Sequence, residues 1–221
     1  MREPVLVSWS GGKDSCLALA EIQKGNDYQV AALLTTVTRE YDRVSMHGVR
    51  RALLERQAEA LGLQLHQVYI SGRATNEEYE SRMKEALALY REQGVRLIVF
   101  GDLFLEEIRR YREQLLAPLG LKGLFPLWKR DTSRLIRQFI ATGFRAVVTC
   151  VDLRTLDQSL AGRVIDEDFL RQLPVQVDPC GENGEFHSFV FAGPLFREEV
   201  NYSRGEVVFR DSFCFCDLLP S

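Results

Sequence analysis

Val5-Leu6-Val7-Ser8-Trp9-Ser10-Gly11-Gly12-Lys13-Asp14-Ser15 decides how this chain is read. Residues 5 to 9 form a short run of β-formers, and Cys16, Leu17, Leu19, Ala20 and Ile22 then mark one side of a helix. The glycine turn between them therefore closes a buried strand and opens a helix. A helix start gathers unpaired N–H groups and a partial positive charge, and glycine lets an anion reach the backbone with no Cβ in the way. Lys13 adds a full charge, while Ser10 and Ser15 add hydroxyl donors, so the stretch reads as a phosphate cradle. An ordinary turn, with glycine for geometry and Ser or Asp for capping, is the competing reading. The spacing is not the Walker pattern, because the two glycines are adjacent and Asp14 follows the lysine.

Working outward, the first half alternates strand and helix as a parallel, doubly wound α/β sheet does. Strands are expected at Val30–Thr35, Leu65–Ile70 and Val95–Phe100. Helices are expected over 49–61, and after the capping box Thr75-Asn76-Glu77-Glu78, where Tyr79, Met83, Ala86, Leu87 and Tyr90 recur until Gly94. Ligands in such sheets sit beyond the carboxyl ends of the strands. That singles out Thr35-Thr36, the loop Ser45-Met46-His47-Gly48, and Gly101-Asp102. Past Leu121–Trp128 the rhythm changes. A helix carrying Leu135, Ile136, Phe139 and Ile140 leads to a strand at Ala146–Val151, a short acidic helix lies within Val164–Leu173, and β-rich stretches follow at Phe186–Ala192 and Glu206–Phe213. The expected organisation is a nucleotide-type domain over 1–123 and a smaller α+β domain over 124–221.

With 221 residues, 46% hydrophobic and 27% charged, the chain can bury a sizeable core. A net charge of −3 offers no general basic field for nucleic acid and no polybasic tail for a membrane. No stretch approaches the roughly 20 apolar residues of a bilayer span, and no signal-peptide pattern opens the chain, so a cytoplasmic setting is expected. The five cysteines are odd in number and scattered, which suits reduced thiols. Without a C-x-x-C pair, and with three histidines far apart, a structural zinc site is not expected. A homo-oligomer is left open.

The cradle resembles the S-G-G-x-D-S signature of the PP-loop ATP pyrophosphatases, which usually cleave ATP between its α and β phosphates and adenylate a substrate. A second constellation lies at Pro179-Cys180-Gly181-Glu182-Asn183-Gly184-Glu185-Phe186-His187, where carboxylates, glycines, an amide and an imidazole crowd ahead of a strand. With Gly101-Asp102-Leu103-Phe104 and Phe125-Pro126-Leu127-Trp128, it looks like the diphthine–ammonia ligase family, in the form of its compact prokaryotic branch. That resemblance implies an N-terminal domain of the adenine nucleotide α hydrolase (HUP) type and a smaller C-terminal domain that handles the substrate. Characterised eukaryotic members amidate the carboxylate of diphthine on elongation factor 2, using ATP and ammonium. This chain is short beside the larger eukaryotic ligases, and in a bacterial source, where diphthamide is not made, the acceptor would be an unknown small molecule.

The resemblance also assigns residues. Ser10, Gly11, Gly12, Lys13 and Ser15 would hold the β and γ phosphates. Asp14 and Asp102 are candidates for Mg²⁺, or equally for helix-start and strand-end caps. Thr35 and Thr36 are placed for adenosine, or simply finish a strand. His47 is a nucleotide or substrate contact or a solvated loop residue, and Gly101 flanks the same region. Glu182 and Glu185 would deprotonate ammonium or orient the acceptor, unless they belong to a solvated hairpin; His187, opening an apolar strand, joins them as a catalytic candidate. Arg109, Arg110 and Arg112 read as a solvated helix face, and His66 has no assigned role. Two other readings use the same loop: a tRNA-modifying sulfurtransferase or lysidine-type ligase, which needs a catalytic cysteine pair and a basic surface, and a non-catalytic adenine-nucleotide sensor.

Overall fold

A computed structural model describes residues 2–45 and 48–221. The first half follows the expected rhythm: β1 (Glu3–Ser8), α1 (Lys13–Gln23), β2 (Tyr28–Thr38), β3 (Arg43–Val44), α2 (Arg51–Leu61), β4 (Leu65–Ile70), α3 (Asn76–Glu92), β5 (Leu97–Val99), α4 (Glu106–Leu116) and β6 (Lys122–Leu124). β1 pairs in parallel with β2 on one edge and with β5 on the other, β4 lies beyond β2, and β6 beyond β5. In this sheet, among the described residues, only the two-residue β3 runs antiparallel, along β2 past the end of β1.

Burial explains the apolar run of β1. Val5 and Val7 join α1 and α2 in one core, whereas Leu6 faces the other, where α3 and α4 bring Met83, Leu87, Tyr90, Leu115 and Leu116. A parallel strand covered on both faces needs no polar alternation. From β1 the chain winds one way to β2 and β4, then crosses to β5, so the gap beyond β1 and β5 is the switch point where such sheets bind ligands.

The second half holds α5 (Thr132–Ala141), β7 (Arg145–Asp152), α6 (Glu167–Gln172), β8 (Phe186–Ala192), β9 (Tyr202–Arg210) and β10 (Phe213–Pro220). Its four strands form a separate antiparallel sheet in the order β8-β7-β10-β9. This is the doubly wound sheet with a smaller α+β unit that the sequence leads one to expect. One detail differs. Glu206–Phe213 is not a single β stretch, because Asp211 takes a left-handed φ of 52° and folds β9 back onto β10. Neither Gly nor Pro marks that turn in the sequence.

The two halves share a core: Leu33 of β2 and Leu53 and Leu54 of α2 belong to the same buried cluster as Val148, Phe189 and Cys214 of the second sheet. Asp217 of β10 adds a polar clamp, pairing with Arg43 at 2.7 Å and Arg50 at 2.6 Å. Burial raises its carboxyl, but the two guanidiniums outweigh that and hold it at about 2. Among the described residues, no helix is long and apolar enough to cross a membrane.

Candidate active site between the two sheets

The loop between β1 and α1 is built from both halves of the chain. Gly11 has a φ of +76°, and a Cβ there would stand 2.9 Å from Gln57 Oε1, so only glycine fits. Its carbonyl accepts hydrogen bonds from Gln57 Nε2 at 3.0 Å and from the Val190 N–H of β8 at 2.9 Å. Gln57 is fully buried, also accepts from Trp9 Nε1 at 2.7 Å, and donates to the Val190 carbonyl at 2.6 Å. Ser10 Oγ accepts from the Gly12 N–H at 3.3 Å, and Ser15 Oγ donates to the Gly12 carbonyl at 3.0 Å. The Lys13 N–H, first of α1, donates to Ser188 Oγ of β8 at 3.2 Å.

Lys13 is buried, its Nζ 2.8 Å from Asp14 Oδ2 and 5.2 Å from the centre of the Phe186 ring. Burial disfavours the ammonium, yet Asp14 and the negative groups beyond it raise its pKa, so Lys13 stays charged. Gly101 lies so close to α1 that a Cβ would sit 2.7 Å from the Asp14 carbonyl carbon. That contact brings the end of β5 against the start of α1.

Asp102 is held by Arg112, whose Nε lies 2.7 Å from Oδ2 and whose Nη2 donates to Oδ1 at 3.1 Å. The Arg112 guanidinium lies 4.4 Å from the Phe100 ring centre, and that of Arg109 lies 4.7 Å from Phe125 and 4.8 Å from Trp128. A solvated face therefore describes Arg110 alone of the three arginines. Aromatic partners far away in sequence draw the other two down.

Asp14 Oδ1 and Thr35 Oγ1 are buried with no hydrogen-bond partner among the described residues, and so is Asp102 Oδ2, which differs in facing the Arg112 guanidinium as an ion pair. Burial lifts the Asp14 carboxyl against the pull of Lys13. An unpartnered buried carboxylate oxygen fits a hard cation. Among the described residues no three His, Cys, Asp or Glu side chains converge on one point, so an ion here would draw most of its ligands from phosphate and water. Thr35 and Thr36 lie inside β2, which runs on to Thr38, and by alternation they face opposite sides of the sheet. Thr35 is on the side of Leu33 and α1; His47 lies outside the described residues.

In the second constellation the two glutamates differ. Glu185 is buried and fully engaged: Oε1 accepts from the Asp178 N–H at 3.1 Å and from Asn183 Nδ2 at 2.9 Å, while Oε2 accepts from the Asn183 N–H at 2.9 Å. Glu182 reaches out of the turn, and its Oε1 accepts from the N–H groups of Leu103 at 2.8 Å and Phe104 at 3.3 Å, just after Asp102. Burial, helped by Asp14 and Asp102 and opposed by the two N–H donors, pushes its carboxyl up to about 7. His187 pairs across to Cys150 in the sheet register, and burial followed by the charge of Lys13 lowers it to about 4, which leaves it neutral at physiological pH. Cys180 is buried, with Sγ donating to the Thr132 carbonyl at 3.3 Å.

The site thus gathers Lys13, Asp14, Asp102 and Glu182 within mutual electrostatic reach, where two parallel strands end and β8 closes over the loop. Gln57 and Ser188 complete it. Gln57 carried a readable signal, an amide one turn past Leu53 on the apolar stripe of α2. Ser188 had none, since a small polar residue inside a β-run has no mark of its own. Surface clefts lined by Ile22, Tyr28 and Leu63, and by Arg145, Phe196 and Arg197, hold none of these groups.

Residues 1–123 match the model of the diphthamide synthase N-terminal domain, and residues 131–219 that of the diphthamide synthase C-terminal domain. The chain belongs to the diphthamide synthase family. It is similar to the diphthine–ammonia ligase of Homo sapiens, 29% identical over 97% of this chain and 88% of that protein. It is also similar to the diphthine–ammonia ligase of Schizosaccharomyces pombe, 28% identical over 95% of this chain, although it spans only 38% of that protein's length. The family read from the two constellations therefore holds across both halves of the chain, and the relatives so named are carbon–nitrogen ligases. The chain is short beside the larger yeast ligase, as expected, and spans most of the human one. A crystal structure from Methanocaldococcus jannaschii, described as a predicted subunit of tRNA methyltransferase, overlaps 72% of this chain and 84% of its own at a TM-score of 0.40 and 17% identity, too loosely to bear on function.

Proposed function

We propose that this chain binds Mg-ATP between its two sheets and joins ammonia to an acceptor carboxylate, through an adenylate, with release of AMP and pyrophosphate. The observation that carries the reading is geometric: the loop at Gly11–Ser15, with its buried Lys13, is tied to β8 through Ser188, and Glu182 crosses from the same second half of the chain to the N–H groups of Leu103 and Phe104 at the end of β5. In this reading Lys13, the α1 N–H groups and the hydroxyls of Ser10 and Ser15 hold the β and γ phosphates, with Thr35 toward the nucleoside. Mg²⁺ bound by Asp14 Oδ1 would neutralise phosphate charge. Asp102 is taken up by Arg112 and serves to place the end of β5.

An acceptor carboxylate oxygen attacks the α-phosphorus, the α–β bond breaks, and pyrophosphate leaves with its charge balanced by Lys13. Glu182, titrating near neutrality, takes a proton from ammonium so that free ammonia forms beside the acyl-adenylate. Its nitrogen attacks the acyl carbon, AMP departs with the former carboxylate oxygen, and the new amide nitrogen gives up its remaining extra proton to water. Glu185 acts one step back, fixing the turn that aims Glu182, and neutral His187 lies behind Lys13. The acceptor in this reading is diphthine, the one carried in the names of the relatives, borne on elongation factor 2 as the family resemblance implies, and the setting is the cytoplasm, where buried reduced thiols persist.

A cysteine-based sulfur transfer finds no support, because all five thiols are free, buried and raised by burial, as with Cys150, pushed up to about 12. The test is product analysis with Mg-ATP, ammonium and diphthine-bearing elongation factor 2. AMP with pyrophosphate in step with amide supports the reading. ADP, or intact ATP, overturns it.

A further inference from the structure

The far edge of the second sheet is unlike any other strand in the molecule. β9 has nine residues, pairs only with β10, and exposes Val207 (51%), Val208 (37%) and Phe209 (55%) in succession. Tyr41, 54% exposed, lies beside it, with the Arg210 guanidinium 5.5 Å from its ring centre. Edge strands are ordinarily kept single by proline, lysine, bulges or short length. β9 has no proline or lysine, and its one irregularity sets Gly205 and Glu206 together opposite Asp217, immediately before the apolar run, which itself keeps regular register with β10 from Val207 to Arg210.

The backbone phase of this edge is fixed. Arg210 pairs with Phe213 across the two-residue loop Asp211-Ser212, and such a loop closes on a hydrogen-bonded pair. Arg210 and Val208 therefore turn their N–H and C=O groups toward β10, while Phe209 and Val207 turn theirs outward. On the other side, the Ser212 carbonyl just before β10 accepts from the Leu153 N–H just past β7, in the same alternation.

We propose that a second copy of this chain adds to β9 in antiparallel register, with Val208 on the twofold axis. For two identical strands the outward-facing residues must meet each other, so only every second register is open. Centred on Val207, the pairing sets Arg204 against Arg210. Centred on Glu206, it sets Glu206 against itself. Centred on Val208, it sets Glu206 of each copy opposite Arg210 of the other, Val207 opposite Phe209, and Val208 opposite Val208. This register alone joins opposite charges and stacks the apolar residues, the combinations that stabilise cross-strand pairs. The result is one continuous eight-stranded sheet through the dimer, with the two active-site loops, which lie against β8, at its opposite ends.

Sedimentation equilibrium of the full chain, with oxidative cross-linking, tests this directly. Val208 and its twin form a non-hydrogen-bonded pair, whose Cα atoms stand about 4.5 Å apart, within disulfide range. Since the native cysteines are all buried, Val208→Cys is expected to give a covalent dimer on mild oxidation and Val207→Cys to stay single. Arg210→Glu should halve the mass, and Glu206→Arg with Arg210→Glu should restore it. A wild-type monomer with no Val208→Cys cross-link would overturn the proposal. So would a dimer whose mass Arg210→Glu leaves unchanged.

Discussion

The two loops that meet in the site are rich in the same residue types and work differently. In Ser10–Ser15 the chemistry lies in the backbone and one ammonium, and the strand before it and the helix after it fix the geometry. In the turn from Asp178 to His187 the chemistry lies in side chains, and two glutamates three residues apart have opposite employment: Glu185 is consumed by its own turn, while Glu182 crosses to the other half of the chain. A carboxylate count alone does not separate a working group from a supporting one. The location of its partners does.

Lys13→Ala should cost most, because it removes the phosphate contact and leaves the half-buried Asp14 carboxylate without its ion-pair partner. We expect kcat to fall by about 10²–10³ and stability by about 1–3 kcal/mol, read by AMP release and by chemical denaturation. If the variant keeps full turnover, the loop does not carry the charge assigned to it. Glu182→Gln should keep the fold and lose about 10² in rate. In the wild type, the rate should climb as pH rises through about 7, where Glu182 becomes free to accept a proton, and level off above; that limb should be missing in the variant. An unchanged limb would hand the proton to another group.

Glu185→Ala sharpens the comparison from the other side. It leaves the N–H groups of Asp178 and Asn183 without acceptors, so we expect about 1–3 kcal/mol less stability, with kcat at low temperature falling less than for Glu182→Gln. A kcat loss larger than that of Glu182→Gln, with thermal stability intact, would reverse the two roles. Ser188→Ala, which frees the Lys13 N–H, should be mildest. About 1 kcal/mol of loop positioning should appear as a several-fold higher KM for ATP with kcat nearly kept, measured by initial rates.

The doubly wound half was legible because periodicity and turn chemistry act locally. The run of β1, the stripe of α2 and the stop at Gly94 each carry their own signal. The capping box at Thr75 is half as written: Thr75 caps the Glu78 N–H, but the Glu78 carboxylate turns to Ser71, a partner no local rule supplies. The same limit applied in the site. Lys13 and the glycines could be read directly, whereas Arg112 on Asp102, Ser188 on Lys13 and Gln57 under Gly11 exist only because separate elements converge. The hairpin at Asp211 was hidden for a backbone reason, a left-handed residue that is not glycine.

The most direct measurement uses an acceptor carboxylate labelled with heavy oxygen, followed by mass analysis of the nucleotide and phosphate products. If an acyl-adenylate forms at this loop, one label per amide appears in the phosphoryl group of AMP and none in pyrophosphate. Label in inorganic phosphate, with ADP as the nucleotide product, would contradict the account.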